Sequence, residues 1–116
     1  MRYLMLIYTP ETTMPPAPVE GRKMMEAYAT FTQDVRDRGI LQGGEALQPT
    51  STATTVKVRD GERMITDGPF AETREQLGGY YLLDCKDLDE ALDYAAKIPG
   101  AQLGSVEVRP ILEFVG

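Results

Sequence analysis

Hydrophobic residues recur along the chain with two different periods, and together they predict a mixed α and β fold. Residues 3–8 are apolar on both alternating faces, which predicts a central strand covered on both sides. A helix is predicted from Pro18, because proline suits a first helical turn. Its apolar stripe recurs at intervals of three and four residues, and Gly39 is expected to end it. The stripe consists of Met24, Tyr28, Phe31 and Val35.

The middle of the chain is strand-rich. Residues 40–47 predict a strand, and the glycine pair 43–44 within it indicates a bulge or a close backbone approach. Residues 54–59 and 62–66 flank Asp60 and Gly61, two residue types that tolerate the positive φ of a type I′ turn. The pattern predicts a β-hairpin, followed by another strand over residues 79–85.

The last third predicts a second helix and a final strand. Asp87 is placed to cap the helix, and Glu90 is placed to complete a capping box. Pro99 and Gly100 stop it. Residues 106–114 alternate between apolar and charged positions, and Pro110 is expected at a sheet edge or bulge because it lacks a backbone donor. The stripe predicted to be buried comprises Leu88, Ala91, Leu92, Ala95 and Ile98.

The order of these elements predicts a fold. Two βαβ halves with a hairpin between them form an α+β, ferredoxin-like βαβ-βαβ sandwich in a single domain over residues 1–116. Two amphipathic helices cover only one face of such a sheet. The other face is also apolar in either alternating set of residues 3–8, so we expect the sheets of two subunits to pair in a homodimer.

Composition excludes several classes of protein. The formal charge is −6, which disfavours direct binding to nucleic acid or an acidic membrane. Histidine is absent, so a Ser-His-Asp triad, a Cys-His dyad and an imidazole metal site are excluded. One cysteine, Cys85, fits a reducing cytoplasm, and no segment is long enough for a signal peptide or a membrane span. We expect a cytoplasmic protein without a metal or cofactor, and Cys85 is a poor nucleophile because neighbouring acids should raise its pKa.

The candidate chemistry centres on Asp67, which lies at a bend before Gly68. A desolvated carboxylate there could act as an acid, a base or an anchor, whereas the structural alternative is an aspartate that only fixes the turn. Phe70 is expected to pin the loop to the core. Glu45 is a second acid from a separate strand, and Arg74 offers a fork for a carboxylate or phosphate, or a structural ion pair.

Three further residues are candidate ligand contacts. Tyr8 and Tyr80 could donate hydrogen bonds to a ligand, although tyrosines of this kind are more often core residues. Arg109 lies on the charged side of the last strand, where it should find a carboxylate or a ligand anion. The alternative for that strand is an edge position with one solvated face.

The segment 67–81 resembles the DGPF signature of the YCII-related family, and the resemblance extends from residues 3–8 through 44–47 to 106–110. The resemblance implies a dimeric α/β barrel. Some relatives carry a His–Asp pair that this chain cannot reproduce, which disfavours hydrolase or dehalogenase-like activity. Two hypotheses follow: a homodimer that binds a small molecule near Asp67 with acid–base chemistry, and a non-catalytic protein associated with extracytoplasmic-function sigma factors. Whether the protein is an enzyme stays open.

Overall fold

Six strands and two α-helices follow one another in residues 1–11 and 17–114, the parts of the chain that the computed structural model describes. Short 3₁₀ turns at Thr50–Thr52 and Pro99–Gln102 precede β3 and β6. The elements are β1 (Arg2–Thr9), α1 (Pro18–Asp37), β2 (Leu41–Ala46), β3 (Thr54–Arg59), β4 (Glu62–Asp67), β5 (Gln76–Asp84), α2 (Leu88–Lys97) and β6 (Ser105–Pro110).

Four strands form one antiparallel sheet in the order β2-β5-β1-β6. The strands joined by a helix are separated in space, because β5 lies between β1 and β2, and β1 lies between β5 and β6. This is the ferredoxin-like arrangement that the element order predicts. The strand apolar on both sides, β1, is interior, whereas β6 is an edge where Pro110 needs no ladder donor. The bulge predicted at the glycine pair appears as a register shift between Leu41 and Gly43.

The core lies on one face of this sheet, between the strands and both helices. Tyr3, Met5 and Ile7 of β1 alternate into it, and Met5 is completely buried. Phe31 and Val35 are the buried end of the stripe predicted on α1. From α2 and its end the core receives Ala91, Ala95 and Ile98.

The buried stripe of α2 is narrower than predicted. Leu88 and Leu92 are 48% and 47% exposed, so the prediction that they are buried was wrong. The buried arc runs from Ala91 and Ala95 towards Tyr94, which is half-buried against the core. Leu88 and Leu92 lie beyond the opposite edge of that arc, because each residue turns the helix by about 100°. The cap is as predicted, since Asp87 accepts a hydrogen bond from the Glu90 amide at 2.9 Å.

The hairpin stands apart from the main sheet. Asp60 and Gly61 have φ values of 53° and 77°, so the predicted turn is confirmed. Within the part of the chain that the structure describes, strands β3 and β4 pair only with each other, and every residue of β4 is exposed. The described residues therefore span 49 × 47 × 19 Å with a radius of gyration of 16.3 Å. A compact chain of about 100 residues has a radius near 13 Å, so the hairpin extends the molecule as an arm.

Both described helices lie on the core side of the main sheet, and we refer to its other face as the open face. Its centre is apolar and its edges are charged, which agrees with the expectation that both sides of β1 are hydrophobic. Subunit pairing through it stays a prediction. The registers place on it Leu4, Leu6, Tyr80, Leu82, Glu45, Glu107 and Arg109.

No helix in the described residues is long and apolar enough to cross a membrane.

Candidate functional site

A cleft of about 580 Å³ lies between α1 and the β2–β5 side of the sheet, and we refer to it as the tyrosine cleft. Its helical wall is a polar stripe, Tyr28, Thr32 and Arg36, whose members are spaced by four residues and therefore lie on one face of α1. Tyr81 of β5 lines the cleft from the sheet and reaches this stripe through Thr32. The cleft therefore combines two phenols, a hydroxyl and a guanidinium.

Two glycines on neighbouring strands leave the floor of the cleft open. A methyl group at Gly44 would lie 2.9 Å from Cδ1 of Tyr81 and 3.0 Å from the carbonyl oxygen of Tyr80. A methyl group at Gly79 would lie 2.8 Å from the carbonyl oxygen of Glu45. All three distances are tighter than a Cβ atom normally tolerates, so glycine at these positions lets β2 and β5 approach closely beside the tyrosine ring.

Tyr81 is held by two contacts with α1. Its hydroxyl shares a 2.7 Å hydrogen bond with Oγ1 of Thr32. Its ring meets Phe31 edge to face, with centroids 5.0 Å apart and planes at 65°. One wall of the cleft is therefore set in place before any ligand enters.

Tyr28 remains a neutral phenol in the cleft. Partial burial raises the pKa of Tyr28, because desolvation disfavours the phenolate, and a hydrogen bond with the Gly100 backbone acts in the opposite direction. The neighbouring Tyr81 raises the Tyr28 pKa further. At neutral pH Tyr28 therefore supplies a hydrogen-bond donor and not a base.

Arg36 is the charged group of the helical wall. It lies in the last turn of α1 and is exposed. In the described part of the chain the ion pairs involve other residues, so Arg36 keeps its donors available. A guanidinium offers a planar fork of N–H donors that matches a carboxylate or an ionised hydroxyl group.

Two of the six residues predicted from the sequence reach the cleft. Glu45 and Tyr80 line it, and they are direct partners across β2 and β5. Strand alternation directs their side chains to the open face, because Tyr80 also pairs with Leu6, the neighbour of the buried Met5 and Ile7. They therefore border the cleft chiefly through their backbone.

Two others lie on the opposite side of the sheet from the helices. Tyr8 pairs with Ser105, and Arg109 pairs with Leu4 across β1 and β6. Arg109 is 69% exposed and forms an ion pair with Glu107, so the expectation that it finds a carboxylate is confirmed. Neither residue lines the cleft.

Asp67 and Arg74 are both exposed and neither lines the cleft. Asp67 ends β4, and the bend after it is held by Gly68, whose φ is 103°. The Gly68 amide donates to the Ala53 carbonyl at 2.7 Å, and the Gly68 carbonyl accepts from Thr55 Oγ1 at 2.9 Å. The structure therefore does not bring Asp67, Glu45 and Arg74 into one cleft.

The prediction that Phe70 anchors the loop between β4 and β5 in the core was wrong, and we refer to this loop, residues 68–75, as the motif loop. Phe70 is 80% exposed, and its ring lies beneath the ammonium group of Lys57, whose Nζ is 5.5 Å from the ring centroid. The reason is tertiary: the hairpin stands away from the main sheet, so the loop that follows it has no core to pack against.

Cys85 is buried at the end of β5. Burial raises the pKa of Cys85 most, and the carboxylates of Glu90 and Asp84 raise it further. The predicted direction is confirmed, although desolvation and not the neighbouring charge is the main cause. In the described residues no group of three or more acidic or cysteine side chains could hold a metal ion.

The polar stripe of α1 is the part of the site that the sequence analysis missed. The apolar period of α1 places Tyr28 in the buried stripe and predicts no role for Thr32 or Arg36. Their spacing, four residues apart beside the apolar stripe, is the signal that indicates a second, polar face towards the sheet.

Comparison with known proteins identifies the family. The model of the YCII-related domain matches residues 1–115. The chain belongs to the YCII-related family. It is 40% identical over 114 residues to an uncharacterized protein of Rhizobium meliloti (strain 1021), an alignment that covers 96% of this chain and 92% of the relative.

A solved structure supports the fold. The 5-chloro-2-hydroxyhydroquinone dehydrochlorinase of Burkholderia phenoliruptrix AC1100, in complex with 2,5-dihydroxybenzoquinone, superposes with a TM-score of 0.52 at 13% sequence identity. The match covers 98% of this chain and 96% of the enzyme. At this identity the similarity establishes the shared fold of the YCII-related protein and the enzyme.

Proposed function

We propose that this YCII-related protein binds a small planar organic anion in the tyrosine cleft. The observation that carries the proposal is that Tyr28, Thr32 and Arg36 of α1 line one cleft together with Tyr81 and Gly44 of the sheet. A flat ring would pack beside the two phenols, and its anionic oxygen would accept from the Arg36 fork. A volume of about 580 Å³ lies within the range of about 300–1,000 Å³ typical of small-molecule pockets.

The ligand bound in the similar structure supports this class of compound. The dehydrochlorinase holds 2,5-dihydroxybenzoquinone, a flat ring with acidic hydroxyl groups. A ligand of that kind suits a site that offers the neutral phenol of Tyr28 as a donor together with one guanidinium. The raised pKa of Tyr28 makes it a donor of hydrogen bonds, so the cleft favours an anion over a cation.

The test is a calorimetric titration with 2,5-dihydroxybenzoquinone as the probe. The Arg36→Gln variant is expected to bind at least about tenfold more weakly, because a hydrogen bond to a charged group contributes about 1.5–3 kcal/mol. Arg38→Gln is the matched control, since Arg38 directly follows α1 but is paired with Asp34 at 3.0 Å. Equal affinities for the two variants, or no binding to the unmodified protein, would contradict the proposal.

We extend this proposal in two ways. The protein belongs to the DGPF subgroup of the family, and the motif loop carries acid–base chemistry. Asp67 would serve as the proton donor or anchor, with Glu45, Arg74 and Arg109 orienting the ligand. Asp67 is exposed on the hairpin, so this role requires the motif loop to meet a ligand outside the cleft of its own chain. Asp67→Asn should then abolish turnover of a bound ligand and change the free energy of unfolding by less than about 1 kcal/mol. Unchanged turnover in this variant would exclude a catalytic role for Asp67.

A regulatory or interaction role is the second candidate, and the exposure of Phe70 favours it. An aromatic side chain that is 80% exposed on a projecting loop is typical of a surface that meets another protein. The partner proposed is a basic protein such as an extracytoplasmic-function sigma factor, since this chain has a charge of −6. Phe70→Ala should weaken such a complex without changing ligand binding in the cleft. A sigma factor that bound neither the protein nor the variant would exclude this candidate.

A homodimer joined through the open face is part of the proposal. Leu4, Leu6 and Leu82 form the apolar centre of that face, and neither of the described helices covers them. Leu6→Lys should lower the mass measured by light scattering, because burying a charged ammonium in the apolar centre of the interface carries a desolvation cost. An unchanged mass would exclude this surface as the interface.

A further inference from the structure

Among the described residues, none pairs with the outer edge of β4. Its other edge pairs with β3, and the two strands form a sheet of their own. All six residues of β4 are exposed, so in the described part of the chain neither a helix nor a loop covers this edge. An open edge of this kind is a template for another strand.

The turn determines which backbone groups point out of the edge. A two-residue turn at Asp60 and Gly61 closes on Arg59 and Glu62, which form a hydrogen-bonded pair, and the pairs then alternate along the ladder. The Gly68 amide, bonded to the Ala53 carbonyl at 2.7 Å, has the phase that this alternation requires.

It follows that Glu62, Met64 and Thr66 direct their backbone groups inward to β3. Arg63, Ile65 and Asp67 direct their amides and carbonyls outward to the free edge. The side chains of these three residues lie on the same face of the hairpin, because they alternate in register.

The charges on these three residues are self-complementary. Arg63 and Asp67 lie two residues to either side of Ile65. If a second copy of β4 pairs antiparallel with the first and the two-fold axis passes through Ile65, Arg63 of each copy faces Asp67 of the other. Opposite charges directly across an antiparallel pair are stabilising.

The other symmetric registers are worse. In an antiparallel pair, a residue whose amide and carbonyl point to the partner strand lies opposite a residue whose groups do the same. The two-fold axis therefore relates two copies of one residue, and not residues of adjacent numbers. Centring on Arg63 or on Asp67 places like charges opposite each other, which is destabilising. Centring on Met64 or on Thr66 places a charged residue opposite Ile65. The Ile65 register alone forms two opposite-charge pairs.

We infer that β4 of one copy pairs with β4 of a second copy in the antiparallel register centred on Ile65. The two hairpins then form one four-stranded sheet, β3-β4-β4-β3, with about six new backbone hydrogen bonds from three hydrogen-bonded residue pairs. Val56 pairs with Ile65 within the hairpin, and the two are each 58% exposed, so the contact continues an apolar stripe between the copies. This inference goes beyond the ligand cleft and does not depend on it.

The first experiment exchanges charges. Arg63→Asp and Asp67→Arg, each alone, place like charges in both cross-strand pairs and should weaken self-association at least about tenfold. An equimolar mixture of the two variants restores both opposite-charge pairs between unlike chains, so its association should return to that of the unmodified protein. Analytical ultracentrifugation measures both effects, and circular dichroism verifies that each variant is folded.

Charge exchange also distinguishes this contact from the open face. If the open face also joins two copies, loss of the β4 contact should halve the mass of the assembly. If the open face does not join copies, loss of the β4 contact should leave the monomer. Association of either single variant equal to that of the unmodified protein would overturn the inference. A mixture no stronger than the separate variants would overturn it too.

The second experiment tests the register by cross-linking. In the proposed pair the two Ile65 Cα atoms lie about 5.5 Å apart, the usual distance for a hydrogen-bonded pair and one that a disulfide can span. Ile65→Cys should therefore give a covalent dimer under mild oxidation. Thr66→Cys is the matched control, since its copies are offset by two residues, and the unmodified protein with buried Cys85 is the blank. Equal cross-linking of both cysteine variants, or none for Ile65→Cys, would refute the register.

Discussion

Replacing Gly44 by alanine tests the wall of the tyrosine cleft directly. The added methyl would lie 2.9 Å from Cδ1 of Tyr81, which forces the ring to move. Movement weakens the 2.7 Å bond to Thr32 and the edge-to-face contact with Phe31. Each is worth about 0.5–1.5 kcal/mol, so the expected cost is about 1–3 kcal/mol of the free energy of unfolding.

Gly43→Ala is the control, because it lies in the same strand and its added methyl would be 3.9 Å from Cβ of Leu82, an ordinary contact. Replacing glycine in a strand gains about 0.5–1 kcal/mol of backbone entropy, and this gain cancels when the two variants are compared. Equilibrium urea unfolding followed by circular dichroism measures the difference.

A second background separates the contributions at Tyr81. In Tyr81→Phe the hydroxyl bond to Thr32 is already lost, so Gly44→Ala should cost about 1 kcal/mol less than it does in the unmodified protein. If Gly44→Ala and Gly43→Ala have the same unfolding midpoint in the unmodified background, the close contact does not hold Tyr81, and the description of the cleft wall is wrong.

Three further predictions concern the core, a helix cap and a thiol. Met5→Ala should cost about 2–5 kcal/mol in thermal or urea unfolding because Met5 is completely buried, whereas Met25→Ala, at a position 75% exposed, should change stability by less than about 0.5 kcal/mol. Asp87→Ala should cost about 0.5–2 kcal/mol through loss of the bond to the first turn of α2, and exposed Asp93→Ala in the same helix should not. Cys85 should react with a thiol reagent far more slowly in the native protein than in urea. The native pKa of Cys85 is raised above the ordinary value of 9.0, which applies to the unfolded chain. The free energy of unfolding should therefore not depend on this thiol below pH 9.0, and it should fall as the pH rises from 9.0 through the native pKa.

Local signals predicted most of the secondary structure. The alternation in residues 3–8, the spacing of Phe31 and Val35, and the Asp60-Gly61 turn each depend on neighbours a few residues away. Such signals act through backbone sterics and side-chain periodicity, which do not depend on tertiary contacts. They also predicted the order of elements, and with it the ferredoxin-like arrangement.

The candidate site was harder to predict because it depends on distances between elements. The tyrosine cleft exists where Arg36 and Thr32 of α1 meet Tyr81 of β5, and no spacing along the chain relates residues so far apart. Asp67 stood out in the sequence because it lies in a dense motif. Its position on an exposed hairpin, away from the cleft, is set by how far that hairpin stands from the sheet.

The chain alone decided the type and order of its elements, because propensity, periodicity and turn chemistry are local properties of residues such as Pro18, Gly61 and Asp87. The tertiary structure decided which of the polar residues share a cleft and which apolar residues are covered. Leu92 and Phe70 are as hydrophobic as the buried residues, yet both are exposed, since burial depends on the rotation of a helix and the reach of a hairpin. These are set by packing the whole chain against one face of a sheet, a global balance that no local segment contains.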